Sequence, residues 1–370
     1  MKILYVTTIG KTMRFFESFI KVLLDEGHQV ELAANETNSP VPECYREWGC
    51  SFHHIDFSRS PLSFDNVKAY RQLKKLVENG GYDIVHCHTP NASVVTRLVC
   101  RKLRKKTELK VFYTAHGFHF CKGAPKRNWL LFYPVEKLCA RFTDKLITIN
   151  QDDYILAKTK FRAGEVCYVP GVGIDLSRFE DVQVDRNAKR QELGIPDDAF
   201  LMLSVGELNK NKNHQIILKA MARLNDRDIH YAVAGVGNKQ DHLLELAGEL
   251  GISEQVHLLG YRTDIPELDR VADVFCFPSI REGLGLAAIE AMASGLPLIT
   301  SDVRGVNDYS ADGITGYACA PNDTAGFAQA IRRLKDNLVL GAEMGKKNIQ
   351  FARKYDVHAI NCSLKQVYGL

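Results

Sequence analysis

The sequence lacks a hydrophobic run long enough to cross a membrane, because none of its segments reaches about 18 uninterrupted apolar residues. Its first residues, 1–6, are typical of a short strand and not of a signal peptide. The ten cysteines include no Cys-x-x-Cys pair, so no cysteine motif is indicated and we expect them to fill the core. These absences predict a cytoplasmic protein whose thiols stay reduced.

Other absences argue against three function classes. No Gly-x-Gly-x-x-Gly follows the first strand, which disfavours an NAD-dependent oxidoreductase. Nucleic-acid binding would need a recognisable motif and a larger positive field than a net charge of +4 provides. His86-Cys87-His88 is a cluster of metal-ligand residue types, but neighbours along a strand point to opposite faces and no second cluster completes a ligand set. We therefore expect no metal site and no nucleic-acid partner.

Charge is unevenly divided along the chain. Residues 1–170 contain 26 Lys and Arg against 17 Asp and Glu, a net of +9, whereas residues 171–370 contain 22 against 27, a net of −5. A basic N-terminal half favours phosphate-rich ligands or an anionic membrane surface. The two halves are thus predicted to have different partners.

Short apolar segments alternate with helical patterns in both halves, as in parallel sheets whose strands are connected by helices. The strands predicted in the first half are Ile3–Val6, Val30–Ala34, Ile84–Cys87, Val111–Thr114 and Lys145–Ile149, with helices at about 13–26, 65–78, 91–106 and 127–141. The strands predicted in the second half are 200–205, 230–234, 256–259, 273–277 and 297–300, with a first helix at 213–224. A chain of 370 residues suits two cores of about 150–200 residues each. The predicted fold class is α/β, with two Rossmann-like doubly wound parallel-sheet domains.

The most informative segment is Glu282-Gly-Leu-Gly-Leu-Ala-Ala-Ile-Glu-Ala-Met-Ala-Ser-Gly-Leu-Pro297, which follows the strand 273–277. It predicts a glycine loop that opens a helix. In an open α/β sheet, ligands bind at the carboxyl ends of strands, and glycines let the backbone approach a phosphate at a helix N-terminus. The carboxylates of Glu282 and Glu290 can each accept paired hydrogen bonds from vicinal sugar hydroxyls. The segment therefore favours a nucleotide-sugar site, and a pair of solvated helix-end acids is the alternative.

This segment resembles the signature of the family 4 retaining glycosyltransferases of the GT-B fold, in which the pattern E-G-x-G-x-x-x-x-E-A-M-A-x-G-x-P recurs. The resemblance covers much of the C-terminal half and extends more weakly over the N-terminal half. It implies that Glu282 binds donor-sugar hydroxyls and that Glu290 binds the ribose. The loop residues implied to line the nucleotide-sugar site with them are Gly283, Leu284, Gly285 and Leu286.

The resemblance also implies a GT-B layout, with two domains facing a central cleft. The turn-rich run 169–179 and the polar stretch 180–189 have the composition of a linker. We therefore expect an acceptor-binding domain over 1–175 and a donor-binding domain over 176–356. The C-terminal helix, within 357–370, is implied to pack back on the first domain.

A second loop, Val205-Gly206-Glu207-Leu208-Asn-Lys210-Asn-Lys212-Asn213, follows the first strand of the second half. Lysines in a strand-to-helix loop can neutralise the charge of a leaving diphosphate. The loop resembles the family's G-R-x-x-x-x-K segment, which implies that Gly206, Lys210 and Lys212 bind the donor. Glu207 stands where the family has arginine, so either Lys210 or a basic residue of the other domain supplies the second charge, or the site is weakened. A solvated loop is the alternative.

The loop after the strand 256–259 is implied to bind the nucleotide base through backbone groups of Tyr261 and Arg262. Since backbone groups make these contacts, the side chains can vary. Asp264 is predicted to cap the helix that follows.

The same resemblance implies roles for two residues in the first half of the chain, Gly10 and His116. Gly10, after the first strand, is implied to approach the donor phosphate. His116, after the strand 111–114, is implied to lie at the reaction centre, where a histidine can hydrogen-bond a sugar hydroxyl. A satisfied structural histidine is the alternative.

Basic and aromatic residues are interleaved in Lys122-Gly-Ala-Pro-Lys126-Arg127-Asn-Trp129, and the apolar run 130–133 follows them. Such a segment suits a membrane interface, with the cations against lipid phosphates. The acceptor or membrane surface is therefore predicted at Lys122, Lys126, Arg127 and Trp129. A solvated helix face is the alternative, both here and for the basic run 97–106.

These patterns and the resemblance predict a retaining glycosyltransferase with His116, Glu282 and Lys212 as its catalytic residues. It would move a hexosyl or N-acetylhexosaminyl group from a UDP-sugar, with GDP-mannose as the second choice, to a sugar acceptor. Segment 301–316 resembles transferases of capsule, exopolysaccharide and O-antigen assembly, which implies a polyprenyl-diphosphate-linked acceptor and a peripheral position on the inner face of the cell membrane.

No cofactor is expected, because none of the motifs quoted above contains an Asp-x-Asp metal site. Two other functions stay open. One is an isomerase of the UDP-N-acetylglucosamine 2-epimerase type, which also binds a UDP-sugar between two such domains. The other is a non-catalytic relative that binds a nucleotide sugar or a partner protein, to which Glu207 gives its support.

Overall fold

The computed structural model describes residues 1–121 and 123–370, and its chain divides into two compact units. The N-terminal unit comprises Met1–Gly173 and Val357–Leu370, and the C-terminal unit comprises Ile174–Asp356. The last helix of the chain therefore belongs to the N-terminal unit.

The N-terminal unit is built on a parallel sheet of seven strands in the order β3-β2-β1-β4-β5-β6-β7. Its strands are β1 (Lys2–Ile9), β2 (Gln29–Asn35), β3 (Ser51–His54), β4 (Ile84–His88), β5 (Lys110–Ala115), β6 (Lys145–Thr148) and β7 (Glu165–Tyr168). Its helices are α1 (Glu17–Asp25), α2 (Cys44–Glu47), α3 (Asp65–Gly80), α4 (Pro90–Leu103), α5 (Lys126–Ala140), α6 (Gln151–Lys160) and, at the C-terminus of the chain, α14 (Val357–Tyr368).

Both faces of this sheet are covered. Because successive side chains of a strand point to opposite faces, β1 contributes Leu4 and Val6 to one hydrophobic core and Ile3 and Tyr5 to the other. Helices α3 and α4 pack into the first core, whereas α1 and α14 pack into the second. The predicted doubly wound sheet is confirmed for this unit.

The C-terminal unit has a parallel sheet of six strands in the order β10-β9-β8-β11-β12-β13. Its strands are β8 (Phe200–Val205), β9 (Ile229–Ala234), β10 (Val256–Gly260), β11 (Val274–Phe277), β12 (Leu298–Ser301) and β13 (Gly316–Cys319). Its helices are α7 (Arg186–Glu192), α8 (Gln215–Leu224), α9 (Gln240–Glu249), α10 (Ile265–Val271), α11 (Leu286–Ala293), α12 (Thr324–Asp336) and α13 (Leu338–Ala352).

Every strand predicted from the sequence is present, and three strands were missed. The missed strands β3, β7 and β13 have four residues each and lie at sheet edges, where partial exposure weakens the apolar pattern. The helix expected over 13–26 is also divided, because Gly10–Phe16 forms a 3₁₀ helix before α1 begins.

Each sheet has one point at which the strand order reverses. In the N-terminal unit it lies between β1 and β4, and in the C-terminal unit between β8 and β11. The loops that leave two such strands run in opposite directions, which opens a crevice at the carboxyl edge of the sheet. These crevices are where ligand-binding residues are expected.

The helices described are all too short or too polar to span a lipid bilayer.

Candidate active site

The two loops that carry the Lys212 and Glu282 motifs leave β8 and β11, the strands on either side of the reversal point in the C-terminal unit. Two hydrogen bonds join these loops, one between backbone groups and one from a side chain to a backbone carbonyl. The amide of Ile280 donates to the carbonyl of Asn211 at 2.7 Å, and the Asn211 side chain donates to the carbonyl of Arg281 at 2.9 Å. Two segments some 70 residues apart in sequence thus form one continuous surface.

Lys212 and Glu282 meet at this surface. The Lys212 ammonium lies 2.7 Å from Glu282 Oε1 and 4.6 Å above the Phe277 ring. The side chains are 21% and 14% exposed, respectively, so both charges keep some contact with water. An ammonium group has three N–H donors, and a carboxylate accepts several hydrogen bonds, so each group can hold a further partner.

Gly285 is required where the loop turns into α11. Its φ of 93° is left-handed, and a Cβ atom there would lie 2.5 Å from the Phe277 ring. Any side chain would therefore displace the aromatic ring on which Lys212 rests. In the same loop Leu284 is buried, while Gly283 and Leu286 are half-buried.

Glu290 lies on α11, half-buried. Burial raises the pKa of its carboxyl group, and the positive charge of Arg178 opposes that shift. Arg178 belongs to a 3₁₀ helix, Leu176–Phe179, that packs near α11. A bound hydroxyl that donates a hydrogen bond to this carboxylate would stabilise its charged form.

Arg304 is a further candidate for the site, to which the sequence assigned no role. Its guanidinium donates to the carbonyl of Glu282 at 3.3 Å. It follows β12, so its position after a third strand at the same sheet edge was the available signal. Glu207 is exposed, as is Lys210, whereas Lys212 and Arg304 both contact Glu282.

The loop after β10 presents Tyr261, whose side chain is 73% exposed. Arg262 is paired with Asp264 and with Glu192. Asp264 occupies the N-cap position of α10, as predicted, but its side chain makes no capping hydrogen bond. Its carboxylate is instead occupied by Arg262 at 2.8 Å and Lys189 at 2.6 Å, which leaves only the Asp264 carbonyl for the first turn of the helix.

In the N-terminal unit, His116 follows β5 and its Nε2 lies 3.2 Å from Nδ1 of His88. His88 is stacked on Phe16, and His86, two residues earlier on β4, binds Thr114 and Tyr368. Burial lowers the pKa of His116 to about 4 and that of His86 to about 3. These imidazoles are therefore neutral at pH 7, and His116 offers a neutral hydrogen-bonding group.

Gly10 has a structural reason to be glycine. A Cβ atom at this position would lie 2.3 Å from the carbonyl oxygen of Ser39. The close approach of the 39–41 backbone thus accounts for the glycine without a ligand.

On α5, Lys126 and Arg127 are exposed, and Lys122 lies outside the described residues. The Trp129 indole donates to the Cys121 carbonyl at 3.3 Å and packs against Phe120. The solvated helix face given as the alternative for 97–106 does not hold at the first residue of that run. Arg97 is fully buried and its guanidinium binds Glu136 at 2.9 Å.

No group of three or more His, Cys, Asp or Glu side chains within residues 1–121 and 123–370 could hold a metal ion. The chain does contain one Asp-x-Asp, at Asp226-Arg-Asp228. Both carboxylates bind Lys335, at 2.6 and 3.4 Å. The pair precedes β9 and therefore lies at the amino edge of the sheet, opposite the candidate site.

Two Rossmann-like parallel sheets, each with ligand-type loops at its reversal point, define the GT-B class. The solved structure of HepE from Anabaena in complex with UDP and glucose has this fold in common with the chain, at a TM-score of 0.82 and 19% identity over 100% of this chain and 99% of that one. The Thermosynechococcus elongatus sucrose-phosphate synthase gives a TM-score of 0.79 at 21% identity, over 100% and 98% of the two chains.

Sequence comparisons agree with the fold. Residues 2–150 match the family described as "Glycosyl transferase 4-like", and residues 185–354 match "Glycosyl transferases group 1". A Bacillus subtilis protein named "Putative glycosyltransferase EpsD" is 39% identical over 96% of this chain and 92% of its own length. An Escherichia coli protein named "UDP-Gal:alpha-D-GlcNAc-diphosphoundecaprenol alpha-1,3-galactosyltransferase" is 29% identical over 86% and 83%. The chain belongs to the GT-B glycosyltransferases that combine these two family domains.

Proposed function

We propose that this glycosyltransferase moves a hexosyl or N-acetylhexosaminyl group from a UDP-sugar to a sugar linked to polyprenyl diphosphate, with retention at the anomeric carbon. The observation that carries the proposal is the pair formed by Lys212 Nζ and Glu282 Oε1, 2.7 Å apart at the reversal point of the C-terminal sheet. A cation for a diphosphate stands beside an acceptor for sugar hydroxyls. A nucleotide-sugar donor needs both.

The relatives support the choice of substrates. The E. coli relative is named for a UDP-galactose donor and a diphosphoundecaprenol acceptor. HepE, which has the same fold, was solved with UDP, with UDP and glucose, and with UDP-glucose. We therefore propose a UDP-sugar donor and a lipid-linked acceptor for this chain as well. We also propose a peripheral position at the inner membrane face.

In the proposed reaction, Lys212 and Arg304 stabilise the negative charge that develops on the leaving diphosphate. Glu282 holds hydroxyls of the donor sugar and Glu290 holds the ribose. No carboxylate is assigned as a nucleophile, so a diphosphate oxygen takes the acceptor proton on the same face of the sugar, which gives retention. His116 is neutral at pH 7 because burial lowers its pKa to about 4, so it acts as a hydrogen-bond partner and not as a cation.

Metal independence is part of the proposal, since Lys212 and Arg304 supply the charge that a divalent ion would otherwise provide. Glu207 is exposed and on this view tolerated, because the second cation comes from Arg304 and not from the loop after β8.

The test begins with calorimetry of the protein against UDP, GDP and ADP. Each UDP-sugar is then incubated with a lipid-diphosphate-linked N-acetylglucosamine acceptor, with and without EDTA, and the anomeric configuration of the product is read by NMR. The expected result is UDP binding and an EDTA-resistant α-linked product from one UDP-α-sugar. Conversion of the UDP-sugar without acceptor would instead favour the isomerase, and absence of nucleotide binding would favour the non-catalytic relative.

A further inference from the structure

An apolar groove of about 760 Å³ lies in the N-terminal unit, between α3, α4, α5 and the segment 117–120. Its walls include Val67 from α3, Val94 and Leu98 from α4, and Leu131 and Val135 from α5. The volume falls within the range of about 300–1,000 Å³ that is usual for small-molecule sites. None of the residues assigned to the nucleotide sugar lines this groove, so the reaction described above leaves it unused.

The rim of the groove is unusually apolar for a water-exposed surface. Leu62 and Phe64, which precede α3, are each 91% exposed, and Val67 and Leu131 are more than half exposed. A contiguous set of such side chains marks a binding surface and not the scattered apolar exposure of ordinary proteins.

The floor of the groove carries no net charge. Glu136 reaches it, but the carboxylate is neutralised by the buried Arg97 at 2.9 Å, and the guanidinium is stacked 4.1 Å from the Tyr113 ring. A long hydrocarbon chain can therefore lie along the groove without meeting an unpaired charge.

One end of the groove is polar. It shares Pro61, Pro90, Asn91, His119 and Phe132 with a second cavity of about 290 Å³. That cavity lies at the reversal point between β1 and β4, and Thr8, Thr12 and Arg59 line it. None of the described residues that line it is acidic. A guanidinium beside hydroxyl groups is suited to a diphosphate.

We propose that the groove binds the isoprenoid chain of the acceptor and that the adjoining polar cavity binds its diphosphate at Arg59. This inference rests on the proposed function, because it identifies the part of the N-terminal unit that recognises a lipid-linked acceptor. The apolar groove opens into a cavity with a cationic side chain. A prenyl diphosphate has the same arrangement, an apolar chain that ends in an anionic diphosphate.

Binding is tested by calorimetry on the full-length protein with farnesyl diphosphate, farnesol and inorganic diphosphate, without any donor. Farnesyl diphosphate is expected to bind more tightly than farnesol and more tightly than inorganic diphosphate. Val135→Asp and Val67→Asp, on opposite walls, should each raise its Kd at least about tenfold, since they place a charge in the apolar channel. The matched control is Leu138→Asp, because Leu138 is half exposed on the same helix as Val135 but does not line the groove.

Arg59→Ala separates the two ends of the site. It should weaken farnesyl diphosphate and inorganic diphosphate by a similar factor and leave farnesol unchanged. UDP binding, measured on every variant, reports whether the protein remains folded and able to bind nucleotide.

The outcomes distinguish this inference from the proposed function. Equal affinity for farnesyl and inorganic diphosphate, or equal effects of Val135→Asp and Leu138→Asp, would overturn the groove assignment even if transfer to lipid-linked acceptors occurs. Loss of phosphatidylglycerol-vesicle binding in the groove variants, with farnesyl diphosphate binding intact, would also overturn it and make the patch a membrane contact. Farnesyl diphosphate binding that is lost in the groove variants, without any sugar transfer, would support the groove and refute the proposed reaction.

Discussion

At the scale of single residues, the ammonium group of Lys212 is bound to Glu282 and rests on Phe277. In the proposed reaction, a diphosphate would compete with the Glu282 carboxylate for the same N–H donors. The two side chains should therefore respond differently to substitution.

Lys212→Ala is expected to raise the Kd for UDP about tenfold to a hundredfold, because it removes a charge-assisted contact of about 1.5–3 kcal/mol. Calorimetry with UDP measures this change. Lys219→Ala is the matched control, since Lys219 is exposed on α8 and lies in no cavity of the candidate site. An unchanged Kd for UDP in Lys212→Ala would show that Lys212 does not bind the diphosphate.

Glu282→Ala is expected to lower kcat for transfer about a hundredfold or more, since contacts to the donor sugar stabilise the transition state. Its affinity for UDP should not fall, because UDP lacks the transferred hexosyl group that Glu282 is proposed to hold, and the variant frees Lys212 from its partner. Initial rates and UDP calorimetry on the same preparation supply both numbers. Full activity of Glu282→Ala would show that Glu282 does not contact the donor sugar. A large loss of UDP affinity would contradict the competition between the Glu282 carboxylate and the diphosphate.

The buried histidines give the N-terminal unit a pH dependence. In the folded state the pKa of His116 is about 4, against an ordinary value of 6.5. The neutral form is thus favoured by folding, and its contribution is complete above about pH 6.5 and is lost as the pH falls towards 4. His116 alone corresponds to about 3 kcal/mol.

Urea unfolding at several pH values tests this dependence. The chain has two tryptophans, and Trp48 and Trp129 both belong to the N-terminal unit, so fluorescence follows that unit alone. Stability should decrease between pH 6.5 and 4, and His116→Asn should reduce the decrease. An identical slope in the variant would show that other groups titrate.

At the scale of elements, the buried Arg97–Glu136 pair joins α4 to α5 and also forms the floor of the apolar groove. Arg97 also donates to the carbonyl and hydroxyl of Ser93, one turn earlier on α4. With these bonds satisfied the pair is tolerated in the core, but neither charge can be removed alone.

Glu136→Gln is therefore expected to destabilise the N-terminal unit by about 3–5 kcal/mol, because it leaves Arg97 buried without its counter-charge. Tryptophan fluorescence in urea measures the loss. Glu78→Gln is the comparison, since Glu78 forms an exposed pair with Lys74 at 3.6 Å and should cost at most about 1 kcal/mol. Equal effects of the two substitutions would mean that water reaches Arg97.

At the scale of the whole molecule, the chain returns to its first unit at its very end. Ile360, Val367 and Tyr368 of α14 are buried in the core that β1 and α1 share. The Tyr368 hydroxyl binds His86 at 2.6 Å and Tyr5 at 2.9 Å. The last twelve helical residues thus complete a core begun more than 340 residues earlier.

Removal of residues 357–370 should lower the stability of the N-terminal unit by about 4 kcal/mol or more, from the loss of three large buried side chains. The fluorescence transition in urea should move to lower denaturant, while UDP binding should be retained because the residues proposed to bind UDP lie in the C-terminal unit. A chain shortened only by Gly369 and Leu370 serves as the control. An unmoved transition would show that α14 contributes little to folding.

Much of the fold was predictable because parallel strands buried on both faces leave continuous apolar runs, as at Ile84–Cys87 and Phe200–Val205. Strands β3, β7 and β13 were not predictable, because each has only four residues at a sheet edge, some of them exposed or half-exposed, and these carry too little apolar pattern. The loops with Lys212 and Glu282 were recognisable from glycines and charges after strands. The contact of Arg304 with the Glu282 loop and the apolar groove were not recognisable, since each brings together residues from separate segments of the chain.

The sequence by itself determined the two α/β halves, the glycosyltransferase motif and the unequal charge of the halves, because each depends on residues close together in the chain. Only the tertiary structure decided which charges are paired. It joined Lys212 to Glu282 and Arg97 to Glu136, engaged the Asp264 carboxylate in ion pairs instead of a capping hydrogen bond, and placed α14 against β1. Such contacts depend on strand order and on the exclusion of water from the core, and neither is written in any short stretch of residues.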